Sequence, residues 1–323
     1  MKAASVVLFS LLFASCVSRD ARVATELPYP DPQPAAVSAT PLPPLELKPD
    51  PALESQISEI ASQVQGRVGV SAVMLETGET AELNGNEQFP MQSVYKLPIA
   101  MAVLHRASQE PQVLSQQVAM KPGDFVRQGV RSPLRNLFPQ GAQLSVRELL
   151  AQSISESDGT ASDILLDLAG GPDGVMKYLQ TLGIKDMTIA DSEKVIFKDW
   201  ETQYRNSSSP HAMVELLRAL NAGAGIAPAE RQSLIYLMEN SLGRRRLPKF
   251  LPKDVAVAHK TGTGGMKDGV AAATNDAGII TLPNGKHILV CVYIADSTTG
   301  SREKVIADIG KAVYDRWSGE AAA

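Results

Sequence analysis

The sequence predicts a two-domain α/β (α+β) fold: an antiparallel five-stranded sheet with flanking helices, interrupted by an inserted all-α domain. Three observations predict it. Runs rich in β-branched residues lie at both ends of the folded region. RVGVSAVMLE and ETAELNGN stand near its start, and VAVAHKTGT, AATNDAGIITL and HILVCVYIAD near its end. Between them, over residues 112–242, apolar residues recur at helical spacing. Thr77-Gly78 and Pro283-Asn284-Gly285 join neighbouring runs as tight turns, so the strands they connect are antiparallel. The sheet domain is therefore discontinuous, residues 52–92 and 244–323, around an insert at 93–243. The cleft between two such domains is the expected ligand site.

The elements follow in order. Leu53, Ile57, Ile60 and Val64 place an amphipathic helix ahead of the first strand. FPMQSVYKLPIAMAVLH, residues 89–105, starts a second helix, and Pro98 inside it predicts an irregular beginning. Ser145 with Glu148 forms a capping box that opens LSVRELLAQSIS. Pro172 and Gly183 bracket the helix GPDGVMKYLQTLG. PHAMVELLRALNAG and PAERQSLIYLMENSLG complete the insert. SREKVIADIGKAVYDRW closes the chain, with Ser301 as its N-cap.

The chain has 323 residues, 44% hydrophobic and 20% charged, with a net charge of −4. That allows a large core, and the charge implies no nucleic-acid partner. Arg244-Arg245-Arg246 is too small a cluster for a polyanion surface. Residues 1–15, MKAASVVLFSLLFAS, have the basic start and short apolar core of a signal peptide. Phe13-Ala14-Ser15-Cys16 is similar to the cleavage box of bacterial lipoproteins, so Cys16 is the expected site of lipid attachment and of membrane contact. The linker from Cys16 to residue 51 holds nine prolines and reads as an extended tether without packing of its own. Cys291 lies in an apolar strand, and no disulfide is expected. His105, His211, His259 and His287 show no metal-ligand spacing.

Ser93 and Lys96 sit three apart at a helix start, so an amine is held beside a hydroxyl on one face. The free N–H groups and the dipole of that first turn favour developing negative charge. A serine is a weak nucleophile until a neighbour takes its proton, and a lysine with a lowered pKa can assist. One Ser-x-x-Lys is weak evidence. The chain has a second, Ser301-Arg302-Glu303-Lys304, in a charged helix start. Ser157-Asp158-Gly159 lies between two helical runs, where a hydroxyl could relay a proton to a leaving amine. Lys260-Thr261-Gly262 lies on a strand. Its amine could hold that hydroxyl and a substrate carboxylate, and Gly262 would let a substrate approach closely.

Taken in this order, the three motifs resemble the signature of class A β-lactamases and penicillin-binding proteins. GRVGVSAVMLETGE, FPMQSVYKLPIA, GGPDGVMKYLQTLG, HKTGTG and ATNDAGIITLPNGKHILVCVYIAD look like class A segments in the right order, over residues 53–318. The resemblance implies the serine β-lactamase/transpeptidase-like fold and hydrolysis of the β-lactam amide through an acyl-enzyme. It implies a periplasmic monomer acting on penicillins and cephalosporins, with no metal and no cofactor. Ser93 is then the nucleophile, and its proton goes to Lys96 or, through a water, to Glu193. The N–H groups of Ser93 and Thr263 form the oxyanion hole. Ser157 passes a proton to the ring nitrogen, with Lys260 tuning it. Lys260, Thr261 and Thr263 hold the substrate carboxylate.

Class A enzymes carry a deacylating carboxylate on a loop, and Glu193 falls 35 residues after Asp158, as the family spacing requires. Glu201, beside Trp200, comes eight residues later and is expected on the surface. The tail QYRN resembles that of extended-spectrum members with an altered loop. A D,D-peptidase shares the three motifs but not that carboxylate, and a β-lactam sensor that stays acylated is a further alternative. Several positions depart from the family. Phe197 stands where an asparagine helps to hold the water. Gly159 replaces the asparagine that contacts the substrate's acylamino group. Arg131 stands near a place where an aromatic residue often lines the cleft. Thr274 stands where an arginine is usual. Arg246, fourteen residues before Lys260, matches an alternative position for that guanidinium and is expected to fork the carboxylate. Gln92 and Gly264 occupy the positions of a disulfide found in one subgroup. GGMKDGVAA would suit a wide cleft edge for bulky cephalosporins.

Overall fold

The computed structural model describes residues 37–319. The expected signal peptide, Cys16 and the first part of the expected linker lie outside the described residues. The expected strands are β1 (Arg67–Met74), β2 (Glu79–Leu83), β3 (Ala256–Thr263), β4 (Val270–Thr281) and β5 (His287–Ser297). They hydrogen-bond in the order β2-β1-β5-β4-β3, and every pairing among them is antiparallel. Two short pieces extend this sheet. Lys48–Pro49 runs parallel to β2, and Met266–Lys267 folds back on β4. Asp268 and Gly269, with φ of 51° and 78°, make the turn of that ribbon. The stretch read as an open cleft edge is thus a paired hairpin tip.

The longer helices are α1 (Pro51–Ala61), α2 (Lys96–Gln109), α3 (Val146–Ile154), α4 (Gly159–Leu168), α5 (Gly171–Thr181), α6 (Pro210–Ala222), α7 (Pro228–Glu239) and α8 (Arg302–Ser318). They cover both faces of the sheet. Along β5, Ile288, Val290, Val292 and Ile294 share a core with Leu53 and Ile57 of α1 and Ile306 and Val313 of α8. Leu289, Cys291, Tyr293 and Ala295 share the other core with Leu216 and Leu217 of α6. With side chains alternating and neither face wet, the strand reads as one continuous apolar run. Cys291 is buried and free, and burial pushes its thiol well up, away from the reactive thiolate.

The insert is built round α2, which is buried on nearly all sides and touches α3, α4, α5 and α7. Pro98 falls in its first turn, where a missing N–H breaks no helical bond, and a 3₁₀ turn at Gln92–Tyr95 precedes it. The Ser145–Glu148 capping box closes in both directions. Gly183 follows α5 at φ 74°, a left-handed position that glycine adopts freely. Ser301 holds the N-cap place of α8, but its side chain makes no capping bond.

Two expectations need correction. The insert is not all helical. Gln117–Met120 pairs with Ala142–Ser145, and Met187–Thr188 and Ser207–Ser208 join Phe89–Pro90 in a small three-stranded patch. These strands are too short to show a period of two. The tether, second, is not free along its whole length. Residues 37–50 form a strap across the body. Ala39, Leu42 and Leu45 pack against the core, and the Pro43 carbonyl accepts from the Arg218 guanidinium. The Lys48 and Asp50 N–H groups donate to Gly78 O and Thr80 O at 2.8 and 2.7 Å. A Cβ on Gly78 would lie 2.1 Å from Glu46 O, and one on Gly225 would lie 2.7 Å from the Ala39 Cβ. Proline-rich composition shows that a segment cannot make a core of its own. It does not show that the segment cannot dock on a core built by others. Among the described residues, no helix is long and apolar enough to cross a membrane.

Candidate active site

Four pieces of chain deliver the site. Ser93 stands half-buried in the 3₁₀ turn, directly after Gln92, whose φ is 50°. Asn275 of β4 pins this turn to the sheet. Its Nδ2 donates to Pro90 O at 2.7 Å and to Met91 O at 3.0 Å. A buried asparagine in a central strand is costly unless its amide is used, and here it is used.

Between α3 and α4, Asp158 caps α4 by accepting from Ala161 N at 2.9 Å, and also from Leu134 N at 2.8 Å and Ser132 Oγ at 3.0 Å. This fixes Ser157 at φ 56°, a conformation that costs a non-glycine residue about 1–2 kcal/mol. The turn aims both polar groups of Ser157 inward. Its carbonyl accepts from Lys96 Nζ at 2.9 Å, and its Oγ accepts from Lys260 Nζ at 3.0 Å.

The loop 193–206 is the third piece. Asp163 of α4 accepts from the N–H of Glu193 at 2.6 Å and of Lys194 at 3.1 Å. Asn206 closes the neck by accepting from Ala190 N and Asp191 N and donating to Asp191 O. Glu193 Oε1 then meets Lys96 Nζ at 2.7 Å, with the two side chains 3% and 1% exposed. Glu201 is exposed, as expected. Phe197 packs against the core; its N–H donates to Val195 O and its carbonyl accepts from Arg127.

The charges are held in little water. Burial, with the Lys96 ammonium adding to it, holds the Lys260 amine well below the ordinary lysine range. Burial pushes Asp163 up to about 7, and the neighbouring Glu193 charge works in the same direction.

Strand β3 is the fourth piece, and it adds to the reading of Gly262 and Arg246. A Cβ on Gly262 would lie 2.4 Å from Met91 O and 3.2 Å from Ser93 N. The nucleophile turn itself makes a close approach that needs glycine here. It sets the Ser93 backbone beside that of Thr263. Arg246 is not a free fork. It is 5% exposed; Nη1 donates to Gly262 O at 2.9 Å and Asn275 O at 2.7 Å, and Nη2 donates to Thr263 Oγ1 at 2.7 Å. Glu303 lies 3.2 Å away as its ion partner. Arg246 therefore reaches the cleft through the exposed Thr263 hydroxyl. Gly159 faces the loop: its N–H donates to Arg131 O at 2.9 Å, and a Cβ there would lie 3.3 Å from Glu193 Cγ. The Arg131 side chain is turned to Glu156, at 2.7 Å to its carbonyl and 3.1 Å to its carboxylate. Thr261 is half-buried beside Gly243.

Some residues that build the site escaped the sequence reading. The second Ser-x-x-Lys stretch supplies two. Arg302 Nε donates to Thr274 Oγ1 at 3.0 Å, and Glu303 pairs with Arg246. Asp163 and Asn275 are two more. Asn275-Asp276 inside an apolar strand was a legible signal. Asp276 is fully buried against His259, 2.8 Å from its Nδ1, and also accepts from Leu247 N at 3.1 Å, so His259 is structural as expected.

Comparison with known proteins settles the family. A family profile described as the Beta-lactamase enzyme family matches residues 52–317. Beta-lactamase VEB-1 of Pseudomonas aeruginosa is 38% identical over 268 residues, covering 81% of this chain and 89% of that protein. The chain belongs to the class A serine β-lactamases. This β-lactamase is also similar to Extended-spectrum beta-lactamase PER-1 of Pseudomonas aeruginosa, at 37% identity over 82% of this chain and 87% of that one. A crystal structure of a β-lactamase from Chitinophaga pinensis superposes with a TM-score of 0.80 at 40% identity, covering 82% of this chain and 99% of that one. The β-lactamase hydrolyses β-lactam antibiotics, the activity that confers resistance. Its strap, residues 37–50, lies outside the matched region.

Proposed function

We propose that Ser93, Lys96, Ser157, Glu193 and Lys260 carry this hydrolysis. Ser93 Oγ attacks the lactam carbonyl and gives its proton to the Lys96–Glu193 pair, either to the carboxylate through a water or to the Lys96 amine once Lys96 has passed its own proton to Glu193. The N–H groups of Ser93 and Thr263 receive the oxyanion. Ser157 passes a proton to the ring nitrogen as the C–N bond breaks, and Lys260, 3.0 Å from its hydroxyl, supports that transfer. Glu193 then takes a proton from water, which attacks the acyl carbonyl and releases Ser93. Lys260, Thr261 and Thr263 hold the substrate carboxylate, with Arg246 acting through Thr263.

The observation that carries the reading is the ion pair of Glu193 with Lys96 at 2.7 Å. A D,D-peptidase has no use for a carboxylate there. Glu193→Gln keeps the shape but cannot accept a proton. It is expected to acylate and then accumulate acyl-enzyme by mass spectrometry, with deacylation slowed roughly 10²–10⁴-fold. Ser93→Ala is expected to show no adduct, and Glu201→Gln to turn over normally. Trapping by Glu201→Gln with free turnover by Glu193→Gln would overturn the assignment.

The same reading makes the enzyme a monomer that takes cephalosporins as well as penicillins. The extended-spectrum name of PER-1 and the QYRN loop tail favour the wider range. Residues 1–15 direct export to the periplasm, and Cys16 carries lipid that tethers the enzyme to a membrane. Wild type is expected to partition with membranes and Cys16→Ser to stay soluble. A mature amino terminus beyond residue 16 would refute the anchor.

A further inference from the structure

Gln203 has no part in the steps above, yet it joins three pieces of the site. It lies in the 3₁₀ turn Glu201–Tyr204 of the loop that carries Glu193, and it is 5% exposed. Its Oε1 accepts from Gly265 N at 2.6 Å. Its backbone carbonyl accepts from Gln92 Nε2 at 3.0 Å. Gly265 lies two residues beyond Thr263, and Gln92 directly precedes Ser93. One residue of the deacylation loop is thus bonded to the end of the oxyanion strand and to the nucleophile turn.

The contact is built for closeness. A Cβ on Gly265 would lie 3.0 Å from Gln203 Oε1, so only glycine lets the amide reach the backbone unhindered. The tip of the ribbon is itself paired: Gly264 N donates to Ala273 O and Ala272 N to Gly265 O, each at 2.9 Å. A second contact follows along the same edge, where Lys267 Nζ stands 5.9 Å from the centre of the Trp200 ring. The far side of the loop is held separately, by Asp163 at Glu193 and by Asn206 at the neck. The Gln203 side chain is the direct hydrogen bond from loop to strand end. Phe197 adds weight to this link, because no amide at that position helps to place the water.

We infer that Gln203 is a positioning residue: its amide latches the Glu193 loop to the Thr263–Gly265 strand end and so fixes the general base against the oxyanion hole. The inference rests on Glu193 as the deacylating base. Attack by water needs the base and the acyl carbonyl in register at once, and a misplacement of 1 Å can cost on the order of 10²-fold. Acylation depends less on the latch, because Ser93, Lys96, Ser157 and Lys260 are held by other bonds.

The test uses the whole enzyme with a cephalosporin, reading kcat, the pre-steady-state burst and the acyl-enzyme mass. Gln203→Ala is expected to lower kcat about tenfold, with a burst and visible acyl-enzyme. Gln203→Glu keeps an acceptor for Gly265 N–H and is expected to recover most of the rate. A residue that merely filled space would show no such recovery. Gly265→Ala pushes on the same contact from the other side and is expected to reproduce Gln203→Ala, which covers the case in which one variant folds poorly. Glu193→Gln runs alongside as the reference. If it traps acyl-enzyme while Gln203→Ala and Gly265→Ala turn over like wild type, the latch is overturned and the base stands. Equal losses in Gln203→Ala and Gln203→Glu also overturn the latch. If Glu193→Gln traps nothing, the base assignment fails and the inference falls with it.

Discussion

Replacing Arg246 separates two accounts of the carboxylate side of the site. A fork that grips the substrate would lose charge-assisted bonds directly, each about 1.5–3 kcal/mol, while the fold would hardly notice. The structure points elsewhere. Arg246→Ala strips the donor from Gly262 O, Asn275 O and Thr263 Oγ1 and leaves Glu303 without this partner. Each unsatisfied buried acceptor costs about 1–3 kcal/mol, while the ion pair adds at most about 1 kcal/mol, since Glu303 is partly exposed and keeps Arg245. These terms overlap, so roughly 3–5 kcal/mol of stability is at stake. At about 2–4 °C per kcal/mol for a chain of this size, Tm should fall by roughly 10 °C. Catalysis loses only the orientation of the Thr263 hydroxyl, about 1 kcal/mol, or about fivefold in kcat/KM. Arg246→Lys keeps a charge without the planar fork and should fall between the two in stability. Thermal melting and kcat/KM on one cephalosporin read both quantities. An unchanged Tm with a loss of kcat/KM on the order of 100-fold would refute the reasoning and restore the fork.

Two further predictions rest on single contacts. Gly262→Ala places a methyl 2.4 Å from Met91 O, a backbone atom that cannot step aside, so the nucleophile turn must shift. The expected result is a loss of kcat/KM on the order of 10²-fold with unchanged substrate contacts; normal activity would mean the turn yields freely. His211 pairs with Glu82 at 3.0 Å, and that hydrogen bond raises its pKa above the ordinary 6.5, against the opposing effect of burial. A raised histidine stabilises the fold fully below 6.5, and this contribution is lost as pH rises through the folded value. The pair is partly exposed, so the effect should stay near 1 kcal/mol or less. Tm profiles against pH that run parallel for wild type and His211→Gln would sink this prediction.

The three motifs were legible because each is local: a helix start, a capped turn and a strand, all readable within a few residues. Glu193 was legible from its spacing to Asp158. The sheet order was not, because β1 pairs with β5 across more than 200 residues and no local pattern encodes that neighbour. The same limit hid Glu303, which meets Arg246 only once α8 is folded onto the sheet. Gly262 misled in another way. The sequence asks for close approach at that position but cannot say what approaches. Arg246 was placed near the right chemistry but read as free, because spacing along the chain does not reveal burial. Asp163 and Gln203 carry no motif, and their importance lies in backbone N–H groups supplied by distant segments.

The strap has a consequence for orientation. Ala39 meets Gly225, whose carbonyl is bonded to His105 near the last turn of α2. Lys96 stands at the first turn of the same helix. Nine residues of helix separate them, about 13 Å along its axis. The chain therefore enters the body behind the catalytic end, and α2 acts as a rigid spacer between entrance and cleft. The strap's first contact is thus held at the opposite end of the helix that carries Lys96, away from the reacting groups.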